Sequence, residues 1–227
     1  MTRALFYKEF RETLPIAACG LAWLLLIALN AMEYSPFPGL LGYRDNAIIP
    51  FIPYNETFVN SLVFAAGGLA LALGFWHSLG DFWGEAHLFL LHRPISRRAI
   101  YLTKLAIGLS VYLLAGASSI LLYAIWAATP GTHASPFAWS MTFPIWITWL
   151  ATFTLYLGAF LSGIRPAAWF GTRLAPLAAS AVIVALTALL PSLPAPLPLV
   201  LTPLVLVGAN VALFASILTT VKARDFA

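Results

Sequence analysis

The chain has 227 residues, of which 61% are hydrophobic and only 9% charged, with 12 Lys or Arg against 8 Asp or Glu and a mean hydropathy of +0.90. Soluble domains carry about 25% charged residues, so this composition excludes a water-soluble globule and describes a membrane protein. The net charge of +4 comes from short basic clusters between apolar runs, which read as topology signals and not as a face for nucleic acid.

The first predicted element is an interfacial helix over residues 1–14. Phe6, Tyr7, Phe10 and Leu14 share one face, while Arg3, Lys8, Glu9, Arg11 and Glu12 are left to water. Pro15 is expected to mark the turn into the first span. The apolar run over 16–29 has the length of a secretory signal, but Glu9 and Glu12 interrupt the basic region and no clean small-x-small site follows. An uncleaved first span is therefore expected. Cys19 is the sole cysteine, which excludes an intrachain disulfide or a CxxC site, and it reads as a small buried hydrophobe.

A window of about 19 residues yields six spans, near Leu14–Met32, Phe58–Leu79, Ile100–Ala128, Phe137–Leu161, Ala167–Leu190 and Leu197–Val221. With the N-terminus cytoplasmic, every Lys and Arg except Arg44 falls on the cytoplasmic side, and both termini share that side. The acidic residues divide more evenly, as expected when Lys and Arg set orientation. Residues 32–57 combine four prolines with five aromatics and predict a compact outer lid. The links over 129–136 and 191–198 carry no Lys, Arg, Asp or Glu, leaving little outside to act as a receptor.

Between the second and third spans lies a segment too charged to cross a bilayer and too apolar for a plain loop. Asp81 is a good N-cap and Glu85 falls in the first turn, where the helix dipole favours an acid. Phe82, Trp83, Ala86, Phe89 and Leu90 then form one apolar face. Pro94 stops the helix, and Ser96 can cap the next one, which Arg97 and Arg98 open. The prediction is an amphipathic cytoplasmic helix over 81–96. Read on physics alone, its arginines could do no more than bind lipid phosphate.

Within the spans the polar residues are few. Asn30 and Asn210 are expected to join helices by hydrogen bonds, ahead of any contact with substrate. His77, Ser78, Thr148, Thr152 and Thr154 complete the set. No ionisable residue takes a clear mid-bilayer position, which disfavours a proton relay. Gly67, Gly68, Gly74, Gly108, Ser110 and Gly116 permit close helix packing. The four histidines make no HExxH pattern, and there is no G-x-S-x-G elbow. No catalytic or metal-binding residue is therefore expected.

The run Leu90-Leu91-His92-Arg93-Pro94-Ile95-Ser96-Arg97-Arg98, continuing to Lys104, resembles the signature of ABC-2 type transporter permeases. The start, Leu5-Phe6-Tyr7-Lys8-Glu9-Phe10-Arg11-Glu12, and the ending, Lys222-Ala223-Arg224-Asp225-Phe226, are similar to the ends of many members. Two positions depart from the pattern: His92 stands where a Ser or Thr is usual, and Ala86-His87 where Gly-Thr is usual. His92 reads as a polar interfacial residue, with a pH-sensitive partner contact as the sharper alternative.

The resemblance implies an all-α permease, with residues 1–227 as a single six-span transmembrane domain in a bacterial inner membrane. It implies a dimer with itself or a paralogue, docked on a separate ATP-binding cassette ATPase subunit that carries the ATP and Mg. Asp81, Glu85, Arg93, Pro94, Ser96, Arg97 and Arg98 become the expected docking residues. This chain has no G-x-x-x-x-G-K-[ST] loop, so it binds no cofactor by that route. An exporter of an amphipathic or lipid-like substrate is the leading expectation. The alternatives are a membrane-embedded lipid-modifying enzyme and a non-transporting membrane anchor for an ATPase.

Overall fold

Long apolar runs have one outcome in a bilayer, because every backbone N–H and C=O must be satisfied within the segment. The computed structural model describes residues 2–32, 34, 56–83, 96–132, 137–166, 170–190 and 197–223, and these are helical apart from short turns. The helices are α1 (Thr2–Ala31), α2 (Glu56–Trp83), α3 (Arg97–Ala128), α4 (Phe143–Ile164), α5 (Phe170–Leu189) and α6 (Leu197–Ala223). A single 3-10 turn, Trp139–Thr142, leads into α4. All six are long and apolar enough to cross a membrane, the make-up of a multi-pass membrane protein.

α4 is the centre of the bundle. It packs against α2 on one side and α5 on the other and also touches α6, while α1 lies across α2 and α3. The buried share of the apolar window is 72% for α4 and 17% for α5 and α6, so the last two helices form the periphery. Small residues set the close approaches. A Cβ on Gly116 would collide with Trp149, and one on Gly163 with Ser78. In the space Gly116 leaves, the Tyr112 and Trp149 rings stack with centroids 5.4 Å apart, and the Tyr112 hydroxyl donates to the Trp149 carbonyl at 2.7 Å. Ser119 Oγ donates to the Leu24 carbonyl at 2.8 Å, tying α3 to α1.

Three sequence expectations change. First, residues 1–14 were expected to form a separate interfacial helix ending at Pro15, but α1 runs unbroken from Thr2 to Ala31 with Pro15 inside it. Proline removes one helical hydrogen bond, and here the turn before it is held from outside by contacts of Glu9 and Thr13 described below. Second, Asp81 is not an N-cap; it lies in the last turn of α2, which continues to Trp83. A lone Gly80 weakens a helix by about 1 kcal/mol, too little to end one. Third, Cys19 is exposed on the bundle surface, beside the open groove between α1 and α2. The outer face of a bundle in lipid is as apolar as its core, so an apolar run does not fix which residues point inward.

The α4–α5 turn shows how a membrane helix tolerates proline. Pro176 lies inside α5 and cannot donate to the Thr172 carbonyl four residues back. Arg165 Nη1 donates to that carbonyl instead, at 3.2 Å. Arg173 reaches back to the Ser162 and Gly163 carbonyls, at 3.3 and 3.1 Å, and so covers the open end of α4.

Candidate functional site

The most unusual chemistry of the bundle lies where α1, α2, α3 and α4 meet, at the end that carries the N-terminus. Four helices each contribute polar side chains that are almost completely buried: Glu9 and Thr13 from α1, His77 from α2, Lys104 from α3 and Tyr156 from α4. Lys104 is 2% exposed and Glu9 2%, so neither charge has water to solvate it. Isolated burial of either charge would be prohibitive. They neutralise one another, with Lys104 Nζ 3.6 Å from Glu9 Oε2.

The remaining hydrogen bonds knit the cluster together. Lys104 Nζ donates to the His77 carbonyl at 3.2 Å. Thr13 Oγ1 donates to the Glu9 carbonyl at 2.7 Å and lies 2.8 Å from His77 Nε2. His77 Nδ1 lies 3.2 Å from the Tyr156 hydroxyl, which is also 3.4 Å from the Lys104 carbonyl. One assignment follows from the Thr13 proton, with the single Tyr156 proton shared between His77 Nδ1 and the more distant Lys104 carbonyl. Thr13 spends its proton on the Glu9 carbonyl, so His77 carries its proton on Nε2 and donates to Thr13. His77 Nδ1 then accepts from Tyr156. Gly108 makes the room, because a Cβ there would collide with the Tyr156 hydroxyl and stand 2.9 Å from His77 Nδ1.

A cluster of this kind is weak evidence for stability, since desolvating two charges offsets most of their attraction. Its effect is positional. His77 sits in the last two turns of α2 and Lys104 in the second turn of α3, so the cluster grips the two helices that enter and leave the segment between them. It fastens both to α1 and to the central α4.

Of the sequence-predicted site residues, Ser96 behaves as expected. Its Oγ accepts from the Ala99 N–H at 3.4 Å in the extended conformation of a cap. Arg97 opens α3, Arg98 is exposed beside it, and Asp81 is in the last turn of α2. Glu85, Arg93 and Pro94 lie outside the described residues, as do His87, His92 and most of the expected lid over 32–57.

Sequence reasoning left Glu9 to water and read Lys104 only as a topology signal and a motif residue. The available signal was the i, i+4 pairing of Glu9 with Thr13 on one face of α1, with an opposite charge at the same membrane end of α3. The expectation that Asn30 and Asn210 join helices is also revised. Asn210 Nδ2 donates to the Leu206 carbonyl of its own helix at 2.8 Å, its oxygen meets no donor, and Asn30 Nδ2 meets no acceptor among the described residues. The helices are joined instead by hydroxyl groups on Thr13, Tyr112, Ser119 and Tyr156.

Among the described residues no three His, Cys, Asp or Glu side chains converge on a common point. The arrangement holds four helices together. Comparison with family models, with curated proteins and with solved structures finds no match to this chain.

Proposed function

We propose that this chain is the membrane-spanning permease subunit of an ABC-2 type ATP-driven transporter, exporting an amphipathic or lipid-like substrate. The observation that carries the reading is the buried Glu9–Lys104–His77–Tyr156 cluster. A segment that receives force from a partner needs both of its flanks fastened to the body of the bundle. The cluster sits on those flanks, in α2 and α3, and connects them to α1 and α4. Any push on residues 84–95 is thereby delivered to four helices at once. The resemblance of Arg93-Pro94-Ile95-Ser96-Arg97 and of both chain ends to the family supports the same reading.

On this reading the 81–96 segment docks on a separate ATP-binding cassette ATPase, which holds the ATP and Mg. Two permease copies, or this chain and a paralogue, complete the assembly in the bacterial inner membrane, with both termini in the cytoplasm. The chain itself is no enzyme. The test is co-purification with an ATP-binding cassette protein encoded beside this chain. Glu85→Lys and Arg97→Glu should insert at wild-type levels and lose the ATPase. Recovery of the ATPase at wild-type levels with both variants rejects the docking surface. Retention of an activity in vesicles free of ATPase and ATP rejects the class.

A further inference from the structure

The turn between α4 and α5 carries charge that the chain does not balance. Arg165 caps α4, and Arg173 lies in the first turn of α5. Between Glu85 and Asp225 the sequence has no Asp or Glu, so α3 to α6 bring no carboxylate to them. Of the acids in α1, Glu9 pairs with Lys104 and Lys8, and Glu12 with Lys8. Among the described residues neither arginine meets a carboxylate. Both bond backbone carbonyls instead, those of Thr172, Ser162 and Gly163. The end of α4 offers about half a negative charge and the start of α5 about half a positive one. The two guanidinium charges therefore stand uncompensated.

The depth of the pair follows from the spans on either side. The apolar span of α4 ends at Ile164 and that of α5 begins at Gly171, so Arg165 directly follows one span and Arg173 falls at the start of the other. Ser162 and Gly163, whose carbonyls Arg173 bonds, belong to the last turn of α4. That bonding holds the Arg173 guanidinium where hydrocarbon gives way to headgroups. α5 is peripheral, and Gly171 and Thr172 are exposed, so this boundary is open to lipid. A guanidinium has more N–H donors than these carbonyls use, which leaves donors on both side chains for a further acceptor.

We propose that Arg165 and Arg173 form a binding site for the phosphodiester group of an anionic phospholipid in the leaflet at that end of the bundle. The carbonyl bonds fix both guanidinium groups before the lipid arrives, which lowers the cost of binding. A planar guanidinium fork matches the paired oxygens of a phosphodiester. A headgroup resides at the depth of Arg173, whereas the carboxylate of a soluble protein would have to enter the hydrocarbon boundary to reach it. A lipid with net negative charge also neutralises the turn, which zwitterionic phosphatidylcholine does not. The site is independent of the transport reading and rests on this turn alone.

The test uses the full-length protein, delipidated in a mild detergent, and phosphatidylglycerol carrying a photoactivatable diazirine on its headgroup at a sub-saturating level. Labelling should concentrate on residues 162–176, above the level on residues 139–146 at the other end of α4. Unlabelled phosphatidylglycerol should compete it away, whereas phosphatidylcholine of the same chains and soluble glycerol phosphate should not. Arg165→Gln and Arg173→Gln each keep an amide for the carbonyl bonds and remove a charge. Each should lower labelling about fivefold, the factor carried by about 1 kcal/mol for a basic residue near an anionic membrane surface. Arg11→Gln on α1 should leave labelling of the turn unchanged, and an equal loss there overturns the proposal. Glycerol phosphate that competes as well as phosphatidylglycerol assigns the turn to a soluble phosphate and overturns it. Phosphatidylcholine that competes as well removes the role of net charge and overturns it too. So does wild-type labelling of the turn no higher than at residues 139–146, whatever the variants do to folding. Undiminished labelling of either arginine variant in a well-folded state has the same consequence.

Discussion

Replacing Lys104 by Met keeps the length and apolar body of the side chain and removes its charge. Breaking a buried ion pair by deleting one partner costs about 3–5 kcal/mol, because the other charge stays buried. Two features of this site lower that figure. The Glu9–Lys104 separation is 3.6 Å, long for a charge-assisted bond, and Glu9 retains Lys8 at 3.4 Å with that side chain 36% exposed. A loss of about 2–3 kcal/mol is therefore expected, which at about 2–4 °C per kcal/mol for a chain of this size lowers the melting temperature by about 4–12 °C. The assay is a tryptophan-fluorescence melt of the purified protein in a mild detergent. Adding Glu9→Gln to Lys104→Met removes the stranded charge, and the double variant should melt within about 1 kcal/mol of wild type. A single variant that melts within about 2 °C of wild type refutes the reasoning. So does a double variant as unstable as the two single losses added together.

Two further outcomes follow from the geometry. Gly108→Val pushes a branched side chain at Tyr156 and His77 and should cost about 1–3 kcal/mol by overpacking, whereas Gly208→Ala meets nothing within 4 Å and should be neutral or slightly stabilising; the same melt reads both. In a Cys19→Ala background, Arg3→Cys and Lys222→Cys should both resist a water-soluble maleimide on intact cells and both react after permeabilisation. Labelling of just one of them on intact cells would contradict six spans with cytoplasmic ends.

The six spans were legible in the sequence because hydrocarbon imposes a length and an apolar composition that nothing else in the chain imitates. The Ser96 cap was legible too, since the Pro94 stop and the Arg97-Arg98 start frame it. The site was largely illegible, and Glu9 explains why. Giving Phe6, Tyr7 and Phe10 the membrane-facing side of an interfacial helix leaves Glu9 to water on the other. In the bundle those aromatics are exposed, and Glu9 with Thr13 turns inward. When the outer medium is apolar, the side chains that need polar partners occupy the interior, so the inward face is chosen by the least hydrophobic residues. Tyr156 was hidden for a related reason. It sits among Phe153 and Phe160 in a helix rich in aromatics, and only the position of His77 on another helix distinguishes its hydroxyl from a bystander. Pro15 misled because a tertiary contact, invisible locally, supports the turn before it.

The Glu9–Lys104 pair also imposes an order on biosynthesis. Glu9 leaves the ribosome in the first turns of α1, and Lys104 emerges only with α3, so the carboxylate has no Lys104 to meet until three helices have been made. A nascent chain halted after α2 would carry α1 with a charged group facing no cationic counterpart on α3, and its N-terminal turn would favour the interface over the bundle. Arrival of α3 supplies the ammonium group and draws that turn inward. Fastening of the first helix is thus timed to the insertion of the third.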